Sequence, residues 1–560
     1  MPTARRRRHV PLLLLTVTLT TGILVTPAAV AETTARTPAT PPVEWREGFD
    51  SVELGPRVND PGIAEGELGF THDGPRGWTV ENGADLAEGG VEEWRGWSFT
   101  TRDFWVDAED QMRHRFARSL DVIAVADSDE YDDADSRPHT FDTTLVSPEV
   151  RVHRQRELVL GFDSHYRAWP GQSATLTVEY DRSGEQIELL DIADVAAEHG
   201  DGRVLNGHED VRIQVPEGAG RAVFRWRFTA DRNSWYWAID NVHLRKAQAA
   251  VTAEDAAASL WVVSDIQGHP GDLSHGITDL HALRPDAGAL LMVGDQVNSG
   301  AQWEWDEIYD VLDERADLLP EQRIAAIGNH ERYAAGGWPV LRDRFLAFAQ
   351  RDQVWGEYVV EGEGDVEVPV LVLGQDAAGP TDVPISQEQL DWFRGRLEHW
   401  TRQQRQVLVL THFPLGDTVS ASWIPWYSEH HQRNDELTAL LGEHPNAVVL
   451  SGHTHYPVEL GDWAVQRRTE GGHPDGFWAV NTAAMHVEWD ARGENTQGIT
   501  EVVTRDINRG LTVDAYRDRL VIRAHDFGVP GADGTNEVNE QLREVEIPSP
   551  FPRRSGLLPR

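Results

Sequence analysis

The chain has 560 residues and a formal net charge of −41, with Lys246 as its only lysine and no cysteine. That balance argues against nucleic acid as a routine partner, because phosphate backbones are held by basic stripes. It also excludes thiolate ligands, cysteine nucleophiles and disulfides, while the length predicts two or three domains able to bury cores without cross-links.

Residues 1–31 read as a signal peptide. Arg5 to Arg8 form a charged start, Leu12 to Val25 an apolar stretch short for a membrane span, and Ala29-Val30-Ala31 a small-residue cleavage site. The adjacent arginines leave both the general secretory and the twin-arginine route open. No later segment reaches the ~20 apolar residues of a membrane helix, so a secreted protein without a membrane span is expected. Residues 32–44, rich in Thr, Pro and Ala, read as a disordered leader.

From 45 to 244 short alternating strands are broken by Gly, Asp and Pro, as in Ala222-Val223-Phe224-Arg225-Trp226-Arg227-Phe228. Period-two runs with frequent turns predict an all-β sandwich of jelly-roll type. The opening Phe49-Asp50-Ser51 and the closing Trp237-Ala238-Ile239-Asp240-Asn241-Val242 resemble the ends of jelly-roll adhesion and carbohydrate-binding modules. The resemblance implies a carbohydrate or cell-surface ligand. Trp78, Trp94, Trp97, Trp105, Trp169 and Trp235 serve either as sandwich core or as sugar-stacking surface. The acidic run Asp127-Ser128-Asp129-Glu130-Tyr131-Asp132-Asp133 reads as a solvated loop or as hard oxygen ligands for a structural Ca²⁺.

Residues 245–257 contain little that a core needs and read as a linker. With no catalytic cluster before it, the first domain is expected to be separable from the chemistry of the second. From 258 to 526 strands alternate with helical patterns, which predicts mixed α/β layers. Residues 527–560 are mostly polar and read as a loose C-terminal tail.

Five polar clusters each close an apolar run in this second domain. They are Ser264-Asp265-Ile266-Gln267-Gly268, Gly294-Asp295, Gly328-Asn329-His330-Glu331, Thr411-His412-Phe413-Pro414 and Gly452-His453-Thr454-His455. Carboxylate, amide and imidazole are donors for divalent transition metals, and strand exits converge on one sheet edge. The set predicts a site for two metals.

In that order the clusters resemble the calcineurin-like metallophosphoesterase family, whose pattern is D-x-H, G-D, G-N-H-[DE], a lone His, then G-H-x-H. Gln267 stands where the family has its first histidine. The resemblance implies a β-sandwich flanked by helices and a phosphoesterase that attacks phosphate mono- or diesters with a metal-bridging hydroxide. One ion (Zn, Mn or Fe) would take Asp265, Gln267 and His455; a second would take Asn329, His412 and His453; Asp295 would bridge them. His330 would protonate the leaving group or orient its neighbours, and Glu331 and Asn298 would support the ligands. His269 offers an alternative to Gln267. His486, Tyr333, Trp303 and the stretch Trp423-Ile424-Pro425-Trp426-Tyr427 are candidates either for the cleft or for packing. The substrate expected is a phosphorylated small molecule or lipid head group. The competing reading is a non-catalytic binding or adhesion protein on a degenerate phosphoesterase scaffold.

Overall fold

A computed structural model describes residues 45–551 apart from 135–138, 183, 185, 193–203, 232, 379–382, 429, 491–502 and 530–538. The expected signal peptide and leader lie outside the described residues. Among the described residues no helix is long and apolar enough to cross a membrane.

Among the described residues, the strands between Trp45 and Lys246 pair antiparallel and form two sheets. One runs Val204–Gln214, Glu157–Arg167, Tyr236–Lys246, Val122–Asp127, Trp97–Thr101, Leu68–Thr71, Gly55–Pro56, with Trp45–Glu47 beside Tyr236–Lys246. The other runs Gln186–Asp191, Ser173–Tyr180, Arg221–Asp231, Thr140–Val146, Thr79–Asn82. Alternation decides which side chains are core: along Arg221–Asp231, Ala222, Phe224, Trp226, Phe228 and Ala230 point inward. Trp78, Trp94, Trp97 and Trp105 join that core, whereas Trp169 is exposed and meets the half-buried Trp235 edge-on at 5.9 Å.

The acidic run is not the solvated loop that composition suggests. It forms the end of the strand Val122–Asp127 and the helix Ser128–Asp132, and it closes around a buried guanidinium. Arg113 lies 2.8 Å from Asp127, 2.5 Å from Glu130 and 3.6 Å from Asp129. One Asp127 oxygen also caps the helix, accepting from the Asp129 and Glu130 backbone N–H groups. The run's positive partner is therefore an arginine fourteen residues upstream in the same chain.

The second domain has two mixed sheets face to face. Gln322–Ala326, Ala289–Val293 and Ala258–Val263 are parallel and continue antiparallel into Arg509–Ala515, Arg519–Asp526 and Glu540–Pro548. The partner sheet runs Gly356–Glu361, Glu367–Val372, Val407–Leu410, Ala447–Ser451, Phe477–Asn481, Ala464–Arg467, its middle four strands parallel. Leu260 and Val262 face the inter-sheet core, and Trp261 and Val263 face helices Pro270–Leu283 and Gln302–Glu314. Burial on both faces explains why these strands read as continuous apolar runs.

Two boundary expectations change. The tail read from 527 onward contributes the strand Glu540–Pro548, paired along Arg519–Asp526. It reads as polar because it is an outer strand with only Ile547 fully buried. The linker is tied down as well: Tyr516 donates to the Thr252 carbonyl at 2.7 Å, and Arg519 to that of Ala249 at 3.0 Å.

Nor is the first domain loosely appended. Arg468 of the second domain enters it and lies 2.5 Å from the buried Asp240 and 3.9 Å from the buried Asp163. In the reverse direction Arg118 donates to the carbonyls of Gly461 and Ala464, and Arg115 lies 4.2 Å above the Trp423 ring. Removing the first domain would leave Arg468 without the carboxylates that offset its burial. The first domain is therefore packed against the second, not merely tethered to it.

Candidate metal centre

The parallel strands of both sheets release their carboxyl ends at one edge, and five of them, Ala258–Val263, Ala289–Val293, Gln322–Ala326, Val407–Leu410 and Ala447–Ser451, end in the polar clusters. Five residues there, Asp265, Gln267, Asp295, His453 and His455, have left-handed backbone, with φ between 48° and 71°. Non-glycine residues hold that conformation at a cost of order 1–3 kcal/mol each. It turns the chain sharply at the strand end, so that side chain after side chain reaches the same small volume. The glycines beside them leave room: a Cβ on Gly328 would stand 2.1 Å from Asp295 Oδ1, and one on Gly452 2.3 Å from Asp265 Oδ2.

The side chains converge in two groups. In the first, His455 Nε2 lies 3.0 Å from Asp265 Oδ1 and 3.1 Å from the Gln267 amide. In the second, His412 Nε2 lies 3.1 Å from both Asn329 Oδ1 and Asp295 Oδ2, and Asp295, His412 and His453 offer donor atoms within 4.8 Å of one another. His412 Nε2 and Asp265 Oδ1, 3.9 Å apart, join the groups. The Gln267 amide presents its nitrogen, and a half-turn of the amide would present its oxygen at the same place.

Two imidazoles are fixed from behind. His412 Nδ1 donates to the Val293 carbonyl at 2.9 Å and His455 Nδ1 to that of Val487 at 2.7 Å. With the outer nitrogen carrying the hydrogen, each neutral ring points a bare Nε2 lone pair at carboxylate or amide oxygen. Acceptor then faces acceptor at 3.0–3.1 Å, an arrangement that needs a cation or an extra proton. Burial would depress His412, yet Asp295 and Asp265 push it up to about 9. Burial would raise Asp295, yet His412, His330 and His453 hold it below the usual carboxylate range. Burial and the charge of His412 keep His453 well below an ordinary histidine. His453 Nε2 and Asp295 Oδ2 are buried without a hydrogen-bond partner. A buried set of carboxylate, amide and imidazole atoms with orphaned inward donors fits divalent transition metal ions.

His330 sits at the rim. Its Nδ1 donates to the Asn298 carbonyl at 2.7 Å, and its Nε2 lies 3.8 Å from Asp295 Oδ2 and 3.4 Å from the Gln267 amide. Glu331 plays the larger supporting part. Fully buried, it accepts the backbone N–H groups of Gly328, Gln296 and Asp295 at 2.6, 2.7 and 3.2 Å, tying two ligand loops together. Burial and then the Asp295 charge push its carboxyl up to about 8.

Other candidates separate. His269 turns away to stack on His486 at 3.3 Å and does not join the cluster in place of Gln267. Tyr333 is exposed, its ring 5.0 Å from His330 and its hydroxyl accepting from Asn329 Nδ2 at 2.6 Å; Trp303 is also exposed. Trp423 packs against the first domain, whereas Tyr427 lies 5.3 Å from His453. Sequence reasoning gave no role to Trp489, stacked on His455 at 4.5 Å, or to Phe413, 4.5 Å from His453. Phe413 directly follows a ligand candidate, the one signal that pointed to it.

Residues 258–457 match the family model described as calcineurin-like phosphoesterase. That family uses divalent metals. No curated protein matches the chain. Among solved structures, the chain is similar to a purple acid phosphatase from yellow lupin (Lupinus luteus) seeds at 13% identity, covering 72% of this chain and 79% of that one, with a TM-score of 0.32. It is similar to a carbohydrate-binding module in complex with β-1,4-galactotriose at 11% identity, over 31% of this chain and 90% of that one, TM-score 0.20. It is also similar to a cleaved adhesin domain of Lys-gingipain from Porphyromonas gingivalis at 14% identity, over 36% and 98%, TM-score 0.23.

Proposed function

We propose that the chain is a secreted hydrolase of phosphate mono- or diesters that depends on two divalent metal ions. The observation that carries this reading is the buried cluster at the strand ends, where inward Nε2 lone pairs of His412 and His455 face the oxygens of Asp265, Asp295 and Asn329. Asp265, Gln267 and His455 would hold one ion, Asn329, His412 and His453 the other, and Asp295 would serve both. Ions bound there supply Lewis acidity towards a phosphoryl oxygen and an activated water nucleophile.

The chain's own residues do the rest. Val293 and Val487 carbonyls keep the His412 and His455 rings turned inward, and Tyr333 holds the Asn329 amide so that its Oδ1 faces His412. His330 is anchored through Nδ1, so a proton it passes to a leaving oxygen leaves from Nε2, the nitrogen that faces the cluster. The exposed Tyr333 ring beside it offers a surface for the leaving group.

Export rests on the sequence of residues 1–31. Trp169, exposed beside Trp235, is the feature of the first domain most suited to stacking on a sugar. The test of the proposal is hydrolysis of p-nitrophenyl phosphate and bis-p-nitrophenyl phosphate before and after chelation. Loss on chelation and recovery with Zn²⁺, Mn²⁺ or Fe²⁺ is expected; turnover indifferent to chelator would overturn the reading.

A further inference from the structure

A second constellation of ligating atoms lies in the first domain, remote in sequence from the strand-end cluster. His208 and His243 belong to strands on either side of Glu157–Arg167 and stack across it at 5.4 Å with their planes 16° apart. The residue between them is Gly161, where a Cβ would stand 2.4 Å from His243 Cε1 and 3.0 Å from His208 Nε2. Only glycine leaves space for the pair.

The placement of His243 depends on a bulge. Asp240 pairs with Asp163 and His243 with Gly161, so three steps on one strand match two on the other. The irregularity contains Asn241 at φ 51°. Strict alternation would send His243 to the face opposite Asp240; the extra residue returns it to the same face, a common use of a bulge.

Each ring is fixed through its outer nitrogen. His208 Nδ1 bonds Asp163 Oδ1 at 2.7 Å, and His243 Nδ1 donates to the Asn241 carbonyl at 3.0 Å. His208 Nε2 faces Asp210 Oδ1, and one ligating atom from each of His208, His243 and Asp210 falls within 4.8 Å of the others. Asp210 is held in turn by Arg245, 2.6 Å from its other oxygen. His208 Nε2 and Asp210 Oδ1 are 3.6 Å apart, too far for a hydrogen bond but a fair separation for two ligands of one ion at ~2.0–2.2 Å each. Carboxylate or carbonyl behind each ligating imidazole is the usual support of a metal-binding histidine.

We propose that His208, His243 and Asp210 form a mononuclear site for a divalent transition metal ion of the zinc class. Two imidazole nitrogens and one carboxylate select such ions over Ca²⁺ or Mg²⁺, and three protein ligands leave a position for water. The ion would cross-link the strands Val204–Gln214 and Tyr236–Lys246 over the strand between them. Asp163 supports His208 with one oxygen and lies 3.9 Å from Arg468 with the other, so the site adjoins the seam between the domains.

The test uses the full chain, freed of metal and titrated with Co²⁺, with bound ion counted by equilibrium dialysis and coordination followed by visible absorption. His243→Gln and Asp210→Asn are each expected to bind one ion fewer than wild type, that site weakening by more than about 100-fold. Hydrolysis of p-nitrophenyl phosphate by the Zn²⁺-loaded variants should be unchanged. Asp210 is exposed, so its variant keeps the experiment meaningful should His243→Gln fold poorly. Wild-type ion counts in folded Asp210→Asn protein, judged by circular dichroism, would overturn the proposal. The count is a difference between variants, so it decides the question even if hydrolysis proves independent of metal.

Discussion

Two regions of this molecule bury carboxylates side by side, and they answer the electrostatic problem differently. In the first domain Asp127, Asp129 and Glu130 surround Arg113, and the chain supplies its own cation. At the strand ends of the second domain the ion pairs of Asp265 and Asp295 are, among the described residues, all with histidines whose outer nitrogens are used or whose charge is conditional. A buried carboxylate needs a positive partner, and the source of that partner separates a structural cluster from one built to receive an ion.

The contrast can be broken most severely at Asp295. Asp295→Asn should reduce phosphate-ester hydrolysis by about 10³-fold or more, since several kcal/mol of charge stabilisation is lost with the ions. In metal-free protein the same change should lower the melting temperature at neutral pH, because Asp295 offsets the buried positive charge of His412. Arg113→Leu should separate the two effects. It leaves the buried Asp127 without its positive partner and should cost about 3–5 kcal/mol in denaturant unfolding, while turnover of the folded fraction stays near wild type.

His330→Gln sharpens the division of labour at the rim. The loss should be ~10²–10⁴-fold on alkyl phosphates, whose leaving oxygen needs a proton, and small on nitrophenyl phosphate. Metal content should hold; equal losses on both substrates would make His330 a support for the ligands. Glu331→Gln weakens the tie between two ligand loops, and a loss of about 10–100-fold in metal affinity or activity is expected from comparing titrations.

The smallest effect is one of pH. Burial first, and then Asp127 and Asp129, push the Glu130 carboxyl up to about 9 despite Arg113. A folded-state value above the unfolded one means that the group's contribution is complete below the ordinary glutamate range and is lost as pH rises towards 9. Unfolding free energy should therefore decline across that window, and Glu130→Gln should flatten the decline. An unchanged slope in the variant would place the titration elsewhere.

The parallel strands and their polar exits were legible because fully buried strands read as apolar runs and four of the five polar exits carry glycine beside a ligand type. What supports the ligands was not legible. His412 and His455 are anchored by the backbone carbonyls of Val293 and Val487, and a carbonyl has no signature in the sequence. Glu331 was read as a support from its place beside Asn329 and His330, but its hold on the Asp295 loop follows only from the adjacency of two strands. The Arg113 cage closes over a loop of fourteen residues, and the Arg468–Asp240 pair joins positions 228 residues apart. Acidic composition pointed to a solvated loop, and only the fold shows which charges are inside. The strand Glu540–Pro548 was missed because most of its side chains remain in water.

Anomalous diffraction from crystals of the protein grown with Zn²⁺ or Mn²⁺, recorded above the metal's absorption edge, tests the central claim directly. Two peaks are expected to flank the Asp295 carboxylate, one beside Asp265 and His455, the other beside Asn329, His412 and His453. No peak there in protein that hydrolyses phosphate esters would contradict it, since the carboxylates would then be balanced by protonated histidines alone.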